Sequence, residues 1–141
     1  MDQVTFSEFQ ALRQDHFDPL CKRLNLSATT ATIGQGFALV SAADNTVRVF
    51  FEYEKGLSRF RVGAHSDLKP LCSIDELARR FPRIRLVAEG LQRLTLAEQS
   101  DFVESRWSAL QSMFSPKHLQ ETRKWHEVVV REETARYCRG S

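Results

Sequence analysis

The stretch from Val47 to Gly63, VRVFFEYEKGLSRFRVG, restricts the possible folds of this chain more than any other segment. Lys55-Gly56 reads as a two-residue hairpin loop, and fixing the loop fixes the pairing of both arms. Tyr53 then faces Ser58, Glu52 faces Arg59, Phe51 faces Phe60, Phe50 faces Arg61 and Val49 faces Val62. Opposed residues share a face, so Val47, Val49, Phe51, Tyr53, Phe60 and Val62 form an apolar side. Arg48, Phe50, Glu52, Glu54, Arg59 and Arg61 form the other side. A slip of one residue would mix the two sets, so burial of the apolar side specifies the register. Residues 36–42 supply the next strand back, through an Asp44-Asn45 turn, and residues 28–33 offer a fourth.

Helices flank this meander, and three of their starts carry the same device. Thr5-Phe6-Ser7-Glu8, Ser73-Ile74-Asp75-Glu76 and Thr95-Leu96-Ala97-Glu98 each fit a capping box, in which hydroxyl and carboxylate satisfy each other's backbone amides. Val4 with Phe9 and Cys72 with Leu77 add hydrophobic staples. The spacing predicts a first helix from Phe6 to Leu24 that buries Phe9, Leu12, His16, Leu20 and Leu24. Pro19 either caps a fresh turn in it or kinks it. A short helix from Ile74 to Arg80 should stop at Phe81-Pro82. A longer one should run from Leu96 to Phe114 with Val103, Trp107, Leu110 and Phe114 on one stripe. Ser115-Pro116 should then open a last helix to Tyr137, although Val128-Val129-Val130 leaves a strand at 125–131 as the rival. Helix, antiparallel meander of three to four strands, then three helices on one face of the sheet make a single α+β domain over residues 1–141.

Charge is nearly balanced at a net +2, which argues against a broadly basic nucleic-acid binder. Residues 64–94 hold the whole excess, with six bases against four acids. Arg79, Arg80, Arg83, Arg85 and Arg93 cluster there and face only Glu89. Arginine forks suit carboxylate and phosphate, so this cluster is a candidate partner or anion contact. No apolar run reaches the roughly 18–20 residues of a membrane span, and the opening Met1-Asp2-Gln3 is no signal peptide, so a cytoplasmic location is expected. Cys21, Cys72 and Cys138 are an odd, widely spaced set that fits reduced thiols better than a disulfide framework.

Motifs for chemistry are missing. Gly34-Gln35-Gly36 is a turn between strands and no phosphate cradle, and His65-Ser66-Asp67 are loop neighbours that cannot reach triad geometry. The four histidines give no metal-ligand spacing, so neither metal nor cofactor is expected. Glu52 and Glu54 lie two apart on the polar face, but a cross-strand arginine commits Glu52 to an ion pair. Phe50 is a large apolar side chain on an otherwise charged face, and so a candidate partner contact.

Order and spacing together resemble a known class of proteins. The segments FQALRQDHFDPLCKRL, VRVFFEYEKGLSRFRVG, CSIDELARRFP and LTLAEQSDFVESRWSALQSMFSPKHLQETRKW look like those of small immunity proteins from bacterial polymorphic toxin systems, including contact-dependent growth inhibition. The resemblance covers residues 6–125 and is one of pattern, without an invariant signature. It implies a non-enzymatic cytoplasmic protein, a monomer or a heterodimer with its toxin, that binds and blocks one cognate toxin domain. No catalytic residue is carried over from such families. The interface proposed on Arg48, Phe50, Glu52, Glu54, Arg59, Arg61, Arg79, Arg80, Arg83 and Arg85 comes from the residue pattern. Inhibitors of nuclease toxins are often acidic, whereas this chain is mildly basic, which argues against an acidic plug for a nuclease cleft. The alternatives are a secretion-type chaperone, an enzyme assembled from His65, Glu52 and Arg61, and nucleic-acid binding through Arg79–Arg93.

Overall fold

A computed structural model describes residues 3–80 and 94–139. Its elements are α1 (Gln3–Leu12), a π-helical turn (Arg13–Phe17), α2 (Asp18–Leu24), β1 (Ser27–Ala28), β2 (Thr32–Gly34), β3 (Phe37–Ala43), β4 (Val47–Glu54), β5 (Leu57–Ala64), β6 (Cys72–Ser73), α3 (Ile74–Arg80), α4 (Leu96–Ser105), α5 (Trp107–Met113) and α6 (Leu119–Arg139). This is the α+β order expected. The sheet is antiparallel and runs β1-β3-β4-β5-β6, with β2 also on the outer edge of β3.

The central hairpin pairs as its pattern requires, from Val49 with Val62 to Tyr53 with Ser58. Lys55 and Gly56 both take positive φ, 51° and 81°, the handedness that a two-residue loop needs to follow the strand twist. Phe51 lies at the centre of the apolar face, its ring 6.0 Å from Phe9, 5.9 Å from Phe17 and 5.1 Å from Phe60. Every described helix delivers side chains to that face, among them Leu20, Leu77, Val103, Leu110 and Trp125. Burial pushes the thiols of Cys21 and Cys72 up to about 12, with Asp18 adding to the first and Glu76 to the second. Both are therefore protonated core groups.

The helices depart from expectation at identifiable points. Thr5 is no cap, since α1 already runs through Gln3. In the first helix Phe17, not His16, is the buried residue. The π turn inserts one extra residue just ahead of Pro19, which has no amide to donate, and the extra residue brings Phe17 in place of His16 to the buried side, while Leu20 stays buried as expected. The expected helix from Leu96 to Phe114 breaks at Arg106, where φ −110° and ψ 16° leave the helical region. Its stripe survives the break, with Val103, Leu110 and Phe114 buried. Ser115 does not cap the last helix; its hydroxyl donates back to the Ser112 carbonyl at 2.7 Å, and α6 begins only at Leu119. Residues 125–131 are helical, which disposes of the strand alternative. The other two boxes form in full, Ser73 with Glu76 and Thr95 with Glu98.

Two side chains finish the edge of β5 on either side of the short β6. Gln99 of α4 accepts from the Phe60 amide at 2.8 Å and donates to the Leu94 carbonyl at 2.9 Å, so it serves that stretch of edge as a substitute strand. Asp67 accepts from the Ala64 amide at 2.8 Å.

The turn between β3 and β4 carries a pH-dependent term. Asp44 accepts from the amides of Thr46 and Val47 and from the side chain of Gln111 on α5. Burial alone would raise its pKa, but these donors, with His65 nearby, outweigh it and hold the carboxyl below its ordinary 3.8. Its contribution to stability is complete above 3.8 and disappears as pH falls through the lower folded value. Asp44→Asn is accordingly expected to unfold more easily than the parent at neutral pH. The difference should close in acid, read by urea denaturation across pH; a gap unchanged below pH ~3 would contradict the assignment.

Candidate functional site

With the helices converging on one side of the sheet, the opposite face carries the candidate residues. Pairing places three rows on it: Phe37, Leu39, Ser41 and Ala43 from β3, Glu54, Glu52, Phe50 and Arg48 from β4, and Leu57, Arg59, Arg61 and Gly63 from β5. The six hairpin residues expected there are therefore gathered on one surface. Arg79 and Arg80 close α3, but their side chains lie outside the described residues, as do Arg83, Arg85 and Arg93.

Phe50 requires a correction. It is only 2% exposed and so offers no apolar anchor to a partner. Its ring lies beside Gly63, where a β-carbon would stand 3.5 Å from Phe50 Cε2. The glycine, having no side chain of its own, leaves room for the ring beside it. Unlike the other buried phenylalanines, Phe50 is no part of the main core. The apolar character that a partner could meet on this face belongs to half-buried Phe37 and Leu39 and to Leu57, which is 59% exposed.

The charged residues form two separate arrangements. In the first, Glu52, which is 6% exposed, receives the Arg59 Nε–H, and Arg61 Nη1 lies 3.8 Å away. Arg61 also donates to the Leu71 carbonyl at 3.4 Å. One carboxylate thus answers two guanidinium groups. Beside it, Glu52, Glu54, Lys55, Leu57, Ser58 and Arg59 line a shallow recess of about 220 Å³. In the second arrangement, Arg48 donates from Nε to the His65 carbonyl at 2.9 Å and from Nη1 to the Ser41 hydroxyl at 3.0 Å. Thr29 supports Ser41 from the edge, its hydroxyl 3.1 Å from the Ser41 carbonyl and 3.2 Å from the Ser41 hydroxyl.

Of the residues imagined as an assembled enzyme site, Glu52 and Arg61 do meet, but as part of an ion-pair cluster. His65 is exposed, and Arg48 takes its backbone carbonyl. Sequence reasoning missed Ser41 and Thr29, whose roles depend on the register of β3, and also the Gln99 edge contact. Among the described residues, no group of three histidine, cysteine or acidic side chains is disposed to hold a metal ion, and no helix is long and apolar enough to cross a membrane. No protein-family model, curated protein or solved structure matches this chain.

Proposed function

We propose that this chain is a binding protein that neutralises a cognate bacterial toxin domain by direct contact, in the manner of the immunity proteins its element order resembles. The observation that carries the proposal is the division of labour across the sheet. Helices take the apolar face, while the other face presents Arg48, Arg59, Arg61 and Glu54 around a buried Glu52, with Phe37, Leu39 and Leu57 among them. A surface of this kind, charged but interleaved with apolar side chains and built on rigid strands, has the make-up of a specific protein interface. Arg48, Arg59 and Arg61, already held by hydrogen bonds, lose less freedom on docking than free side chains would, which favours tight association.

The direct experiment mixes the purified chain with the protein encoded by the neighbouring gene and follows both complex formation and the partner's toxicity. A 1:1 complex at micromolar concentration that abolishes toxicity is the expected result. Absence of a complex, or a complex that leaves the toxin active, would overturn the proposal.

A further inference from the structure

Resting on that proposal, we infer that Arg48 is the anchor of the interface and that it receives a carboxylate, an aspartate or glutamate side chain, from the protein partner. The three arginines of the face differ in how their charge is answered. Arg59 and Arg61 converge on Glu52, so each has a carboxylate within ion-pair distance, although the one acid balances only one of the two charges. Arg48 is held by a carbonyl and a hydroxyl, both neutral, and no carboxylate among the described residues lies within ion-pair distance of it.

The acids at that end of the face are already engaged. Asp67, which lies over Gly63 across the strand from Arg48, accepts from the Ala64 amide and from Arg123 of α6. Asp44 is taken up by Thr46, Val47 and Gln111. Arg48 therefore keeps an unmatched charge. Its Nε and Nη1 contacts also fix the plane of the guanidinium, while Nη2 makes no hydrogen bond to the described residues. Orienting a flexible arginine normally costs side-chain entropy, and here folding has already supplied that orientation.

A carboxylate of a protein fits better than a nucleic acid. A nucleic acid would bring a row of phosphates and reward a row of free cations. Among the described residues of this face, Arg48 is the arginine with no carboxylate within ion-pair distance, and Glu52 and Glu54 lie farther along the same strand. A single carboxylate, set among the apolar contacts of a protein surface, matches that pattern.

The test titrates the isolated full chain with a hexaglutamate peptide and, separately, with a six-nucleotide oligothymidylate, following the arginine Nε–H resonances by NMR. Arg48 Nε–H is expected to move saturably with the peptide, while those of Arg59 and Arg61 stay in place. The conservative Arg48→Lys, which keeps the charge and loses the fork, should weaken binding at least tenfold, and Arg59→Gln should change it less than threefold. No saturable movement, equal movement of all three arginines, or an equal response to the oligonucleotide would overturn the inference. With the toxin partner in hand, Arg48→Lys should lose affinity by the same measure. A complex indifferent to Arg48→Lys would refute the anchor and leave the neutralising function standing.

Discussion

Replacing Phe51 with alanine is expected to remove about 3–5 kcal/mol of stability, among the largest losses any single substitution in this chain can cause. The ring is fully buried at the middle of the central strand and makes aromatic contacts with Phe9, Phe17 and Phe60. Two of those partners come from the N-terminal helical stretch and one from the neighbouring strand, so the ring holds helix to sheet as well as strand to strand. The cavity left by alanine is bordered by rigid β-sheet on one side, which limits how far the site can collapse. Urea denaturation should show a lower midpoint with an unchanged slope. As a control, Leu57→Ala at the exposed hairpin end should shift stability by no more than about 0.5 kcal/mol. A Phe51→Ala variant that loses under about 1 kcal/mol would mean that the stacked rings do not organise the core.

What could be read from the sequence divides by the range of the interaction. The hairpin register was legible because strand side chains alternate with period two, and a single shift would have exposed Phe51 and Phe60. The boxes at Ser73 and Thr95 were legible because capping is settled within four residues. Phe17 was not, because the π turn before Pro19 changes the phase of the helix and no local composition announces an extra residue. Phe50 was legible as an apolar residue on the polar face but not as a buried one. Its ring lies beside Gly63 on the neighbouring strand, and its burial is a property of tertiary surroundings that alternation along one strand does not carry. The separation of Arg48 from Arg59 and Arg61 was equally hidden, since all three look alike on the hairpin until Ser41 of β3 and the His65 carbonyl are placed beside one of them.

Glu76 shows the same boundary within one residue, and truncating it should produce the second large effect. Its Oε1 accepts from the Ser73 amide at 2.9 Å, the capping contact that the local sequence foretells. Its Oε2 lies 3.0 Å from Nε2 of His126 on α6, fifty residues away, and no spacing rule foretells that. Both side chains are nearly closed off, at 11% exposed for Glu76 and 13% for His126. Glu76→Ala therefore keeps the Ser73 hydroxyl on the residue-76 amide but removes the other half of the capping box, and leaves the Ser73 amide and the His126 ring without partners in a site that water reaches poorly. Each stranded polar group costs about 1–3 kcal/mol, so a total of about 2–6 kcal/mol is expected for the two. Glu76→Gln keeps an oxygen for Ser73 and a polar group opposite His126, and should cost less than half as much. The contact with α6 can be isolated by a double-mutant cycle with His126→Ala, for which a coupling of about 0.5–3 kcal/mol is expected. Additive losses would show that Glu76 only caps α3. A positive coupling would establish that one carboxylate both starts α3 and fastens α6 beside it.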